Sequence, residues 1–398
     1  MRTVLVAAIA LCLLSTSAPA QGTFPLEYRE ATTSDVPALG MASRGFGQAA
    51  EKPAEITGLP ADLPGDALYF RGVIAGKPLW AVACGGSPAR LYIDLDRDND
   101  LSDEKALSAT ATDIGVSFGV VSVPLAEKGP VSVRATSHSG ADGKTPQCLH
   151  LEPVGYRTGE VRLGERSYRV ALIDSNLNGR YDDVLSKQAG QDDADALVID
   201  LNGDGRLEGL RNVTETPEWS PLSKARQVGQ TYYRVSVAAD GSQVQFEKTE
   251  PTFGKIDLGP NRVEMTALSD FGFQKAEAAD GKARLPAGLY LPLALSLTRA
   301  DDSGAKWKLQ WKRGDERLAA LTVPPDETLS MPLGPPLVAG TTVRQNGRVA
   351  RIDFTLTGRA GEQYSPAVNK NNAVGQPPSL EIVDEAGKVL QSGKFAYG

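Results

Sequence analysis

The chain has 398 residues, of which 41% are apolar and 23% charged, and a formal net charge of −7. This is the make-up of a soluble globular protein with enough material for two or three packed cores. An acidic balance without basic clusters excludes nucleic acid as a partner, because neutralising phosphate requires concentrated Lys and Arg.

In chain order, residues 1–20 combine Arg2, an apolar run from Val4 to Leu14 and the small-residue end Ala18-Pro19-Ala20. They read as a secretory signal peptide. Cys12 follows Leu11, where an acylated leader would carry a small residue, so no lipid anchor is expected. No later run approaches the roughly 18 apolar residues of a membrane span. The expectation is a secreted protein, periplasmic or extracellular.

Residues 21–60 have weak periodicity and read as a lead-in segment. Beyond them the pattern is strand, turn, strand. "ALYFRGVIAGKPLWAVAC" (67–84), "SYRVALID" (167–174), "ALVID" (196–200) and "YYRVSVAADGSQVQFEK" (232–248) are β-type runs, the last turning at Asp240-Gly241. "GERSYRV" (164–170) and "GQTYYRV" (229–235) echo one another as turns feeding strands. These signals predict a mostly β fold with one β domain at 61–155 and another at 156–255. Residues 256–398, with hairpins such as "TVRQNGRVARIDFTLTG" (342–358), predict a β-sandwich of immunoglobulin-like kind.

Past the leader two cysteines remain, Cys84 and Cys148. In an oxidising compartment an even pair predicts one disulfide. A zinc site built from them with His138 and His150 is the weaker alternative, because the ligands are scattered.

Much of the acidity falls in three short loops, "DLDRDNDLSDE" (94–104), "DSNLNGRYDD" (174–183) and "DLNGDGRLE" (200–208). Aligned on the first Asp, oxygen-bearing side chains occupy positions one, three and five. These are Asp94, Asp96 and Asp98; Asp174, Asn176 and Asn178; and Asp200, Asn202 and Asp204. Position six is Asn99, Gly179 or Gly205, residues that tolerate a left-handed turn. Position eight is apolar (Leu101, Tyr181, Leu207), and position nine carries oxygen (Ser102, Asp182, Glu208). A hard divalent cation requires six to eight oxygens, which alternate residues of a tight loop supply while the apolar residue packs inward. Ordinary Asx-turns at strand ends are the plainer reading, but they have no use for a constant apolar position eight.

Over about ten residues each loop resembles the EF-hand calcium loop. That resemblance implies calcium ions as the bound species and gives the main-chain carbonyls of Asp100, Arg180 and Arg206 at position seven as further ligands. The loops depart from it at position twelve, where Lys105, Leu185 and Arg211 replace the bidentate Glu. Asp103 or Glu104, Asp183 and Glu208 are near enough to substitute, as are Asp192, Asp193 and Asp195 between the second and third loops. The flanks "RLYID", "VALID" and "LVID" are β-rich, unlike the helices that flank an EF-hand and that follow each loop of a cellulosomal dockerin. In texture the chain resembles secreted bacterial proteins that embed such loops between β-strands.

No catalytic set emerges. Two S-x-x-K strings, Ser102 to Lys105 and Ser303 to Lys306, lie in hydrophilic turns, and there is no G-x-S-x-G elbow. The acids cluster where they would hold a cation, which makes them unsuited to hydrolysis of a glycoside. Trp307, Leu309 and Trp311 alternate with polar residues, the pattern of a sandwich core. The reading is a secreted, calcium-binding, non-enzymatic protein of the envelope or extracellular space, with a polysaccharide or an envelope protein as its partner. The alternatives are a calcium-stabilised binding module and a calcium-dependent carbohydrate-active hydrolase.

Overall fold

A computed structural model describes residues 22–31, 43–49, 51–65, 67–85, 88–112, 115–125, 130–137, 148–188, 193–208, 218–312, 318–347 and 349–396. The expected signal peptide, His138, Asp192 and Arg211 lie outside the described residues. Among those residues the protein is built from β-strands and contains no α-helix.

The segment read as a lead-in already contains strands. β1 (Gly22–Pro25) and β2 (Glu27–Glu30) join sheets completed some two hundred residues later in one case, and more than a hundred in the other. β1 pairs with the strand at 243–249 and β2 with the strand at 155–163. The intervening chain forms a separate nine-stranded sheet. Its strands are β3 (Arg44–Ala49), β4 (Leu68–Ile74), β5 (Lys77–Cys84), β6 (Arg90–Ile93), β7 (Leu107–Ser108), β8 (Thr110–Thr112), β9 (Gly115–Val123), β10 (Val131–Ser137) and β11 (Leu149–Pro153). Their order is β7-β6-β5-β4-β3-β11-β10-β9-β8, and the sheet curls into a nearly closed barrel with β7 against β9. Phe46, Phe70, Leu79, Leu91, Val133 and Leu151 fill its interior. Trp80, Val82 and Tyr92 face outward and are covered by Ile56 and Leu101.

The middle body is a pair of facing sheets. One is ordered β15-β14-β13-β12-β2, from β12 (Gly155–Leu163), β13 (Arg166–Ile173), β14 (Ala196–Ile199) and β15 (Trp219–Pro221). The other is ordered β1-β18-β17-β16, from β16 (Ala225–Val228), β17 (Thr231–Val237) and β18 (Gln243–Thr249). Val170, Leu172, Leu197 and Ile199 pack between them against Val235, Val244 and Phe246. Ala171, Ile173, Ala196 and Val198 point the other way, onto Tyr156, Leu207 and Trp219. Burial on both faces is why β13 and β14 read as unbroken apolar runs instead of alternating. The echoed glycines Gly164 and Gly229 both close tight hairpins at positive φ.

The carboxy-terminal body has four sheets, and its core lies mainly between two of them. β19 (Phe253–Asp257) stands between β22 (Lys282–Pro286) and the short strand 328–330. β20 (Arg262–Ser269), β21 (Gly272–Ala278), β23 (Gly288–Ala300) and β24 (Lys306–Gln310) form the larger sheet, in the order β21-β20-β23-β24. Val263, Met265, Leu295, Leu297 and Leu309 meet Ile256 and Leu285 in the core between the sheets. No helix among the described residues is long and apolar enough to cross a membrane.

The expected bond between Cys84 and Cys148 is not formed. Sheet order is the reason. Cys84 ends β5, Cys148 precedes β11, and β4 and β3 stand between them. Three strand spacings amount to roughly 14 Å, and a disulfide needs Cα atoms within about 7 Å.

Candidate metal centre

Each acidic loop leaves the end of a central strand. Loop one follows β6, loop two follows β13 and loop three follows β14. The first Asp of each is therefore drawn toward the core by the strand before it. Asp94, Asp174 and Asp200 are all buried, the first with 1% of its surface exposed.

The three loops share one hydrogen-bond scheme. The N–H of position six donates to Oδ2 of position one: Asn99 to Asp94 at 3.3 Å, Gly179 to Asp174 at 2.7 Å and Gly205 to Asp200 at 2.9 Å. The N–H of position five donates to the side chain of position three: Asp98 to Asp96, Asn178 to Asn176 and Asp204 to Asn202. The N–H of position seven donates to that of position five: Asp100 to Asp98, Arg180 to Asn178 and Arg206 to Asp204. Positions four and six both have positive φ in every loop: Arg97 and Asn99, Leu177 and Gly179, Gly203 and Gly205. The turn at position six was legible in the residue types. The one at position four was not, because only Gly203 marks it.

Position eight packs as its chemistry requires. Leu101 is buried against Trp80 and Tyr92, Leu207 against Trp219, and Tyr181 lies beside the middle core under the guanidinium of Arg157.

Beside each loop a further carboxylate comes in from a different place in the chain. Glu104 Oε1 accepts the N–H of Leu95 at 2.5 Å. Asp195 accepts the N–H of Ser175 at 3.2 Å and that of Asp183 at 2.8 Å. Glu218 accepts the N–H of Leu201 at 2.8 Å, of Asn202 at 3.2 Å and of Glu208 at 3.3 Å. In all three loops a second carboxylate from outside the first ten positions is thus fastened to the amide of position two, beside the first Asp.

These carboxylates stand in surroundings that disfavour charge. Burial raises Asp94, Glu104 and Glu218 above their ordinary values, and the neighbouring acids add to the rise in each case. Burial pushes Asp174 up to about 6. Burial, followed by the charge of Asp174, pushes Asp195 up to about 9. Asp94 Oδ1 is buried and accepts no hydrogen bond. Ligand atoms of Asp94, Asp96 and Asp98 lie within 4.8 Å of one another. That separation fits one calcium ion, since ligand oxygens about 2.4 Å from an ion are at most about 4.8 Å apart.

The other nominated residues divide. Asp183 turns inward and accepts the side-chain amides of Asn176 at 2.9 Å and Asn178 at 2.7 Å. Asp182 is held by the guanidinium of Arg180, and Asp193 by that of Arg44 at 2.8 Å. Asp103 is exposed. The Asp100 side chain turns away to accept the N–H of Ser102 at 2.8 Å, against a Gly58 where a Cβ would lie 2.0 Å from Asp100 Oδ1. It leaves only its main chain to the loop. Glu208 is half-buried, with its N–H given to Glu218. Glu218 was missed by sequence reasoning. Its one signal is shared with Asp195, an acid directly before a strand start.

The tryptophan pair is split. Leu309 and Trp311 lie in the carboxy-terminal core. Trp307 is 37% exposed beside a cavity of about 520 Å³, but its Nε1 donates to Asp301 at 2.8 Å and Lys370 Nζ lies 4.7 Å over its ring. Comparison with family models, with curated proteins and with solved structures returns no match.

Proposed function

We propose that the protein binds calcium at its three acidic loops, and that the ions hold together a non-enzymatic β scaffold working outside the cytoplasm. The observation that carries this reading is the buried, unpartnered Asp94 Oδ1, in a loop where oxygens of Asp94, Asp96 and Asp98 lie within 4.8 Å of one another and the charge of Glu104 is felt nearby. Burying a carboxylate oxygen without a donor is costly unless a cation is its partner. Loops two and three repeat the hydrogen-bond scheme and bring Asp195 and Glu218 to the corresponding place, while among the described residues three acids come within 4.8 Å of one another only in loop one. Magnesium is the poorer fit, because it demands octahedral geometry with several retained waters, whereas these loops supply protein oxygens at close quarters.

A scaffold role is favoured over a sugar-binding role because the indole N–H of Trp307 and a face of its ring are already engaged by its own chain. Envelope or extracellular residence is part of the proposal, supported by the leader-like composition of residues 1–20 and by the millimolar calcium found outside cells, which suits sites with Kd of about 10⁻⁴ to 10⁻³ M. Isothermal titration with calcium chloride, repeated with magnesium chloride, tests the reading. Three sites with calcium and far weaker heat with magnesium are expected; no heat at millimolar calcium overturns it.

A further inference from the structure

Loop two, and the Glu218 stretch fastened to loop three, are built into the contacts that join the three bodies. Leu177, at the strained fourth position of loop two, is fully buried among the barrel residues Phe46 and Phe70. Leu185 and Ala194, just after the same loop, pack with Leu268, Phe273 and Leu293 of the carboxy-terminal sheet. The stretch from Glu218 to Gln227 extends that connection. Leu222 N–H donates to the Asp195 carbonyl at 2.6 Å, and Leu185 N–H to the Leu222 carbonyl at 2.8 Å. Ala225 N–H donates to the Asp270 carbonyl at 2.8 Å, Lys224 pairs with Asp270 at 3.2 Å, and Gln274 donates to Gln227 at 3.3 Å.

Arg226 sits at the centre of this stretch. It is buried, donates to the Glu218 carbonyl at 2.9 Å and to the Ser220 hydroxyl, and reaches the β20–β21 turn. A Cβ at Gly272 in that turn would lie 2.5 Å from Arg226 Nη1. Glu218 therefore faces loop three with its carboxylate and the carboxy-terminal body, through Arg226, with its carbonyl.

We propose that ions at loops two and three fasten the carboxy-terminal body to the rest of the molecule, with Arg226 as the positioning residue between Glu218 and Gly272. This rests on the calcium reading above. Coupling of this kind is reciprocal: whatever calcium does to the junction, a change at the junction does to calcium affinity. Loop one packs against the barrel, with Leu101 on Trp80 and Tyr92, Leu95 against the barrel core and Arg97 on the Ile74 carbonyl, and stays outside the coupling.

The experiment is hydrogen exchange on the full-length protein in chelator and in millimolar calcium chloride, with calcium titrations of three variants. Amides of residues 269–274 should exchange at least ten-fold faster in chelator. Asp96→Asn combined with Asp98→Asn, in loop one, should leave their calcium-dependent protection intact. Gly272→Ala should weaken one of the three calcium sites about ten-fold. Gly304→Ala, at the same φ of +80° but with no atom within 4 Å of its added Cβ, should weaken none. Three normal heats of binding with unchanged exchange at 269–274 overturn the coupling and leave the calcium reading standing. Absence of calcium heat from the unmodified protein overturns both.

Discussion

Replacing Glu218 by Gln changes one atom at the place where loop three is closed. The carboxylate accepts three main-chain N–H groups, two on Oε1 and one on Oε2. Glutamine keeps an acceptor for Leu201 and Asn202 and turns an amide N–H toward the N–H of Glu208. One charge-assisted hydrogen bond is lost, which is about 1.5 to 3 kcal/mol. In the ion-free protein that loss is offset, because burial and the neighbouring Asp200 already oppose the charge on Glu218. The net change there should stay within about 1 kcal/mol, the size of an ordinary buried hydrogen bond. With calcium the offset disappears, because the ion needs the charge. The affinity of loop three should fall about ten- to a hundred-fold, equivalent to about 1.4 to 2.8 kcal/mol. Titration calorimetry should show one weakened site and two unchanged. Urea unfolding should show a destabilisation in calcium that nearly vanishes in chelator. Equal destabilisation in calcium and in chelator would refute the reasoning and make Glu218 a cap for its three amides and nothing more.

Asp94→Asn should abolish one calcium site while raising stability in chelator by about 1 kcal/mol, because it relieves a buried charge beside Asp96 and Asp98; denaturant unfolding with and without calcium checks both signs. A carboxyl whose folded pKa lies above its unfolded value costs stability as pH rises from the unfolded value through the folded one. With Asp174 pushed up to about 6 and Asp195 to about 9, the chelated protein should lose stability between about pH 5 and 8. The calcium-induced rise in Tm should grow over the same window, and scanning calorimetry at its two ends reads both. Thiol titration should find the buried Cys84 reacting only after unfolding. A peptide map joining Cys84 to Cys148 would contradict the sheet order.

The sequence by itself determined the class of fold and the outline of the loop turns, because both are written in short-range patterns. Period-two and unbroken apolar runs with Gly-containing turns locate strands such as those of 67–84 and 232–248 to within a residue or two. Oxygen-bearing side chains on alternate residues with a bend at position six describe each loop within ten residues, and position eight packs as its apolar character demands. Tertiary structure decided everything that joins residues far apart in the chain. β1 and β2 look unpatterned because each strand is four residues long and finds its partner only in the middle body. Two cysteines suggest a bond by count, yet sheet order separates them by two strands. The acids fastened beside the first Asp stand ten, twenty-one and eighteen residues after it; Glu104 and Asp195 are offered by the sequence only among several candidates, and no fixed spacing reveals Glu218. Each was selected by which strand end lies beside which loop, and that depends on how the sheets pair, which no local run of residues records.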